Sequence, residues 1–279
     1  LNIERDGARE PDLAETLRKL RKAAGLSGER LAARCGMSQA KISRIERRRT
    51  NPTVVDVELI LRALDVPLGL ASELLLLARR ANVEHTSGRV LAEIGLWRKQ
   101  NDLKALAESC TVQRLFTPAI PSGLLQTPEY AQAALSREVD SGPDRDIEKA
   151  LQARLDRQSV LSDADHKFVF ILTEQAVRWR YTSRRVMAAQ CAHLADMTAW
   201  PNIDIAILPL SSEILSAPLN TFVVYDDRLV LVEIFSGEVA LRDPKDIAHH
   251  LDLFDFFYGR ALTNDRARAF LLTVRDEFM

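Results

Sequence analysis

Gly36-Met37-Ser38, a glycine, an apolar plug and a serine between two short stretches of helical periodicity, constrains this chain more than any other feature. Gly36 tolerates the left-handed backbone that ends a helix and turns the chain sharply. Ser38 carries a hydroxyl that accepts a free N–H at the start of the next helix. In Ser38-Gln39-Ala40-Lys41-Ile42-Ser43-Arg44-Ile45-Glu46 the two isoleucines stand three apart and share one face. At about 100° per residue, the opposite face carries Ala40, Ser43, Arg44 and Arg47, with Gln39 and Lys41 on its flanks. Such a helix, apolar behind and polar in front, suits the donor and acceptor edges of DNA bases. Taken alone, it also fits a solvated surface helix.

The surrounding sequence favours the first reading. Leu13, Leu17, Leu20 and Ala24 recur at helical spacing behind Asp12, a capping residue, so 12–24 forms a first helix that Gly25 stops. Ser27 caps a second, with Leu31, Ala32 and Cys35 inward. Thr53 caps a fourth around Val57, Ile60, Leu61 and Leu64, and Pro67 opens a fifth around Leu70, Leu74, Leu75 and Leu77. Five short helices with a tight turn before a polar-faced third predict a helix-turn-helix domain over 1–80.

Charge is distributed to match. The net charge of −1 hides 16 basic against 11 acidic residues in 1–80, and 22 against 28 beyond. Residues 18–49 alone hold 11 basic residues and two acids. A basic module joined to a mildly acidic one is the layout expected of a DNA-binding regulator with a separate second domain.

Leu17-Arg18-Lys19-Leu20-Arg21, Leu31-Ala32, Gly36-Met37-Ser38-Gln39, Ile42-Ser43-Arg44-Ile45-Glu46 and Asn51-Pro52-Thr53 together resemble the Xre, or lambda-repressor-type, DNA-binding domain. The resemblance covers 13–78 and implies that helix 38–47 enters the major groove of double-stranded DNA. Gln39 suits adenine, Arg44 guanine, and Ala40 the thymine methyl. Ser38 caps the helix and Ser43 shares its front. Lys41, Arg47, Arg48, Thr50 and Asn51 suit phosphates and set register. The sequence departs from the family at Gly28, where the second helix usually opens on a polar residue that touches a phosphate and braces the third.

Residues 81–87 are polar and aperiodic, and are expected to form a linker. Beyond it, helical spacing through Val90, Leu91 and Trp97 to Leu106 predicts one long helix or a broken pair, followed by a strand at 111–116. Pro118, Pro121 and Gly123 predict an irregular loop. Helices fit 127–137 and 144–161, a doubly buried strand 168–172, and a helix 186–200. Strands fit 203–208, 221–225 and 229–235, with Asp226-Asp227 as a two-residue hairpin turn, and helices 244–259 and 263–278 follow. The whole is a mainly α, α+β chain: a five-helix lambda-repressor-like domain, then helices packed on a mixed sheet over 88–279.

The second half also resembles a known group. Ile120-Pro121-Ser122-Gly123-Leu124-Leu125-Gln126-Thr127-Pro128-Glu129-Tyr130-Ala131, Ala153-Arg154-Leu155-Asp156-Arg157-Gln158 and the stretch 201–210 are similar to the C-terminal domain of WhiJ-like actinobacterial regulators. That resemblance implies a transcriptional regulator, in some members paired with a small partner protein in an antitoxin-like arrangement. It supplies no effector.

Little points to catalysis. His85, His166, His193, His249 and His250 lack metal-site spacing, and no G-x-S-x-G, phosphate loop or dinucleotide fingerprint occurs. No cofactor or metal is implied. Glu174 follows a buried strand, where active-site carboxylates often lie, but a structural ion pair or helix cap is the plainer reading. Arg154 and Arg157 stand three apart and suit an anion or a partner's carboxylates; the alternative is pairing with Asp156, Glu148 or the acidic 163–165 segment. Trp97, Tyr130 and Trp179 read as core or half-buried residues. Four consecutive leucines, Leu74 to Leu77, place apolar atoms all round their helix.

Cys35, Cys110 and Cys191 are odd in number and lack C-x-x-C spacing, which fits a reducing cytoplasm. Glu4, Arg5, Asp6 and Arg9 exclude a signal-peptide core at this start, and the apolar run 68–78 is too short for a membrane span. A cytoplasmic, homodimeric, non-enzymatic DNA-binding transcriptional regulator is the expectation. The alternatives are an antitoxin-like adaptor and an enzyme working through the second domain.

Overall fold

Capping side chains define where the helices begin. In the computed structural model, which describes residues 12–136 and 146–279, Asp12, Ser27, Ser38 and Thr53 each accept backbone N–H groups at the mouths of α1 (Leu13–Ala23), α2 (Gly28–Cys35), α3 (Gln39–Glu46) and α4 (Val54–Ala63). A fifth helix, α5 (Leu68–Ala81), follows Pro67. The chain divides into two compact units between Glu84 and His85. Residues 1–11 of the expected first domain lie outside the described residues.

The first unit buries one face of every helix. Leu17, Leu31, Ile42, Ile45, Val57, Ile60 and Leu74 form its centre. In α5 the inner residues are Leu74 and Ala78, whereas Leu70 and Leu76 are exposed. Four consecutive leucines cannot share one face at 100° per residue. The stretch expected as a linker is more ordered than its composition implies: Ala81 ends α5, and Val83–Ser87 is a strand, β1.

The second unit continues with α6 (Gly88–Ile94) and α7 (Leu96–Glu108), a broken pair hinged at Gly95, whose φ of +104° suits glycine. Then come β2 (Val112–Thr117), α8 (Pro128–Ser136), α9 (Ile147–Arg157), β3 (Lys167–Thr173), α10 (Glu174–Arg178), α11 (Arg184–Met197) and β4 (Ile203–Leu208). Strands β5 (Phe222–Tyr225), β6 (Leu229–Ile234) and β7 (Gly237–Leu241) precede α12 (Pro244–Tyr258) and α13 (Asn264–Phe278). The expected helix 144–161 is shorter, since α9 passes into a 3-10 turn at Gln158–Ser162. The expected helix limits at 137 and 144 lie outside the described residues.

The seven strands form one mixed sheet in the order β1-β7-β6-β5-β2-β3-β4. Strands β2, β3 and β4 are parallel, joined by helical crossovers, and β5, β6 and β7 form an antiparallel meander on the other side of β2. Along β3, Phe168, Phe170 and Leu172 face a core shared with α11 and α13 residues, while Val169 and Ile171 face one shared with α12 residues. This burial on both faces explains its unbroken apolar run. The hairpin between β5 and β6 has three turn residues, Asp226 to Arg228, where two were expected. Asp226 adopts φ +51°, and its carboxylate accepts the Thr111 and Val112 N–H groups at 3.0 and 2.8 Å.

Candidate nucleic-acid interface

The turn into α3 is built as its sequence suggests. Gly36 takes φ +66°, and two N–H groups close the end of α2: Met37 to Ala32 O at 2.9 Å and Gly36 to Ala33 O at 3.4 Å. Ser38 Oγ accepts the Lys41 N–H at 3.2 Å. Ile42 and Ile45, each 1% exposed, anchor the back of α3 in the core. Glu46, its last residue, grips the Arg21 guanidinium of α1, which also donates to Leu26 O at 2.7 Å. These contacts fix the helix on three sides.

Within the first unit, the described residues leave its outward face uncovered. Gln39, Ala40, Arg44 and Arg47 are exposed, and the polar ones have no side-chain partner among the described residues. Ser43 is half-buried beside them, and Thr50 and Asn51 are exposed beyond the helix end. Arg49 shares their exposure and also lacks a side-chain partner among the described residues. The sequence reading omitted it from the site, although the run Arg47-Arg48-Arg49 was the available signal.

Two cations expected on phosphates already have partners. Lys41 Nζ lies 2.7 Å from Asp56 Oδ1, and Asp56 is buried. The other Asp56 oxygen accepts the Thr53 N–H at 3.1 Å, while Thr53 Oγ1 accepts the Asp56 N–H, completing a capping box. Lys41 thus neutralises a buried carboxylate and ties α3 to the start of α4. Arg48 pairs with Asp12, and more distantly with Glu15 at 3.8 Å, from a backbone at φ +59°. These two side chains meet phosphate only by sharing or releasing carboxylates. Gly28 opens α2 beside open space: a β-carbon there would meet no atom within 4 Å.

In the second unit, α9 and the 120–126 loop bring Arg154, Arg157, Gly123 and Gln126 together, uniting two of the stretches that carry the second resemblance. Neither arginine forms the expected ion pair with Asp156, Glu148 or 163–165. Glu174 does not join them. Its carboxylate accepts Arg178 Nε at 2.6 Å and the Leu210 N–H at 2.8 Å, so it is a structural tie. Tyr130 is fully buried, but Trp179 is 59% exposed, contrary to expectation. Among the described residues no cluster of His, Cys, Asp and Glu is placed to hold a metal, and no helix is long and apolar enough to cross a membrane.

Taken together, a five-helix domain with a turn-mounted polar helix, followed by a mixed-sheet unit, defines a two-part helix-turn-helix protein. Residues 12–74 match the family described as Helix-turn-helix domain. Residues 100–273 match Domain of unknown function (DUF5753), and this protein belongs to that family. No curated protein matches the chain in sequence.

Similar solved structures include Nuc, a phospholipase D family member from Salmonella typhimurium, at 14% identity and TM-score 0.32, covering 59% of this chain and 89% of that one. NucT from Helicobacter pylori is 11% identical at TM-score 0.34, covering 65% and 98%. TrmBL2, an archaeal chromatin protein described as showing a novel mode of DNA binding, is 12% identical at TM-score 0.32, covering 88% and 92%. Likenesses this distant carry no argument about this chain.

Proposed function

We propose that the protein is a sequence-specific DNA-binding transcriptional regulator that acts as a homodimer. Residues 1–80 bind double-stranded DNA, and residues 88–279 are a regulatory domain without catalytic turnover. The observation that carries this reading is the outward face of α3, where Gln39, Ala40, Arg44 and Arg47 stand exposed on a helix held rigidly from behind. Polar side chains on a fixed helix are what direct readout of base edges requires. Gln39 and Arg44 read bases; Arg47, Arg49, Thr50 and Asn51 hold phosphates, with Lys41 and Arg48 contributing only once drawn from their carboxylates. One such domain contacts too few base pairs to compete with a genome of non-specific sites, which favours two half-sites and a dimer.

The finer affiliation, an Xre-type, WhiJ-like actinobacterial regulator of the cytoplasm with a small antitoxin-like partner protein, rests on the sequence motifs quoted above. Selection of duplexes from a random pool by the full chain tests the central reading. The expected result is an enriched motif repeated at about one helical turn, 10–10.5 base pairs between centres. Enrichment of no sequence, with DNA retained only by charge, would overturn it.

A further inference from the structure

Two guanidiniums, those of Arg154 and Arg157, line a cavity in the second unit, and among the described residues neither forms an ion pair. The cavity holds about 210 Å³ and lies among α7, α9, the 120–126 loop and strands β2, β5 and β6. At roughly 30 Å³ per water it has room for about seven waters, or one small organic molecule. Arg157 is 8% exposed and makes no hydrogen bond among the described residues, leaving its Nε buried and unpartnered. Arg154 donates from Nη1 to Gln126 Oε1 at 2.7 Å, but its own Nε is likewise buried and unpartnered. An unpaired buried charge is among the most costly arrangements a fold can keep.

The surroundings hold both guanidiniums in place. A β-carbon on Gly123 would come within 2.8 Å of Arg157 Nη2 and 3.2 Å of Arg154 Nε, so the missing side chain makes their room. The same geometry puts those two nitrogens within about 6 Å of each other, a span that one oxyanion bridges. Gln100 Oε1 and Gln113 Oε1 also line the cavity, buried and without a donor. Of the acids along its wall, Glu238 is paired with Lys99 at 2.9 Å, while Glu233, exposed and outside ion-pair distance of either arginine, still acts on both electrostatically and partly offsets their burial. Three cations, Lys99, Arg154 and Arg157, against the two carboxylates Glu233 and Glu238 leave the lining net positive. Burial, then the neighbouring Arg157, pushes Arg154 down to about 10, and burial lowers Arg157 too.

We infer that this cavity binds a small molecule with an oxyanion head, carboxylate or phosphate, and a hydroxyl or amino donor beside it. The head spans Arg154 and Arg157; the donor serves the orphaned oxygens of Gln100 and Gln113; leucines along the wall enclose the remainder. The inference deepens the regulatory reading of residues 88–279 and rests on it only for the consequence to DNA binding.

Thermal unfolding of the full chain tests it, with inorganic phosphate, acetate and lactate as probes and chloride at matched ionic strength as the control. Phosphate or lactate is expected to raise the transition temperature saturably, by about 3–6 °C at ten times Kd. A response to phosphate alone assigns a phosphate head, and one to lactate above acetate assigns a carboxylate with a donor. R157M removes the buried charge at similar length; it is expected to unfold no earlier than the parent without probe, and to lose the shift. Should R157M fail to fold by circular dichroism, G123A, whose new β-carbon displaces Arg157, decides by weakening the probe at least tenfold. No shift with any probe up to tens of millimolar, or an undiminished shift in the folded variant, would overturn the inference. DNA affinity measured on the same samples separates the two readings, because a missing shift leaves DNA binding intact.

Discussion

Arg21 and Glu46 meet in a two-pronged bridge, Nε to Oε1 at 2.5 Å and Nη2 to Oε2 at 2.8 Å, fastening α1 to the last residue of α3. The side chains are 13% and 11% exposed, and the pair, together with Lys41–Asp56, ties the outward helix to its neighbours. Removing one partner strands the other in a mostly dry site. Glu46→Ala is therefore expected to cost the first unit about 2–4 kcal/mol, somewhat below the full cost of breaking a wholly buried pair. Arg21→Met with Glu46→Leu should recover most of that loss. Urea unfolding measures both, and a single-variant cost under about 0.5 kcal/mol would mark a solvated pair.

Arg44 and Arg47 stand on the same exposed face but are expected to do different work. Arg44→Ala should cost about 1–3 kcal/mol at the selected site and relax preference at one base pair. Arg47→Ala should weaken all sequences about equally. Anisotropy titrations on the selected duplex and its single-base variants decide. Uniform weakening by Arg44→Ala would reassign it to a phosphate.

Salt dependence separates the cations that face solvent from those already paired. The slope of log K against log salt should be steep despite the chain's near-neutral charge, at roughly −0.9 per phosphate contact. Arg47→Ala and Arg49→Ala should each make it shallower by about one contact. Lys41→Ala should leave the slope nearly unchanged and instead lower stability, because it deprives buried Asp56 of its partner at 2.7 Å. A flat slope in the parent protein would contradict the electrostatic argument.

Gly28 offers a gain of function. A β-carbon there would meet no atom within 4 Å, so a side chain can start at the mouth of α2 without a clash. Gly28→Gln is expected to tighten binding to all duplexes by a few-fold, about 0.5–1 kcal/mol, through one added neutral hydrogen bond to phosphate. Stability should rise by a few tenths of a kcal/mol from the lost backbone freedom of glycine. Unchanged affinity with raised stability would place the second helix away from the phosphates.

The helices of the first unit were legible in the sequence because their signals are local. A cap reaches two or three residues along the chain, as from Ser38 to Lys41, and an inward face repeats every three or four, as from Ile42 to Ile45. The apolar run of β3 carried its double burial in the same way. The turn geometry of Gly36, the polar front of α3 and the mixed character of the second unit followed from such short-range patterns.

Tertiary structure alone decided what those side chains meet. Polar Val83–Ser87 was not legible as a strand, since its sheet neighbour Gly237–Leu241 lies far along the chain; Gly237–Leu241 was missed as well, although its other neighbour is the adjacent β6 across Phe235-Ser236. Lys41 finds Asp56 fifteen residues away and Arg21 finds Glu46 twenty-five away, so their pairing depends on how α1, α3 and α4 pack. Arg154 and Arg157 read as a helical pair for an anion or for the acidic residues Asp156, Glu148 and 163–165, yet they lie against the 120–126 loop and form no ion pair among the described residues. Periodicity states which residues share a face; whether that face meets water, a core or a cavity depends on chain crossings that no local pattern encodes.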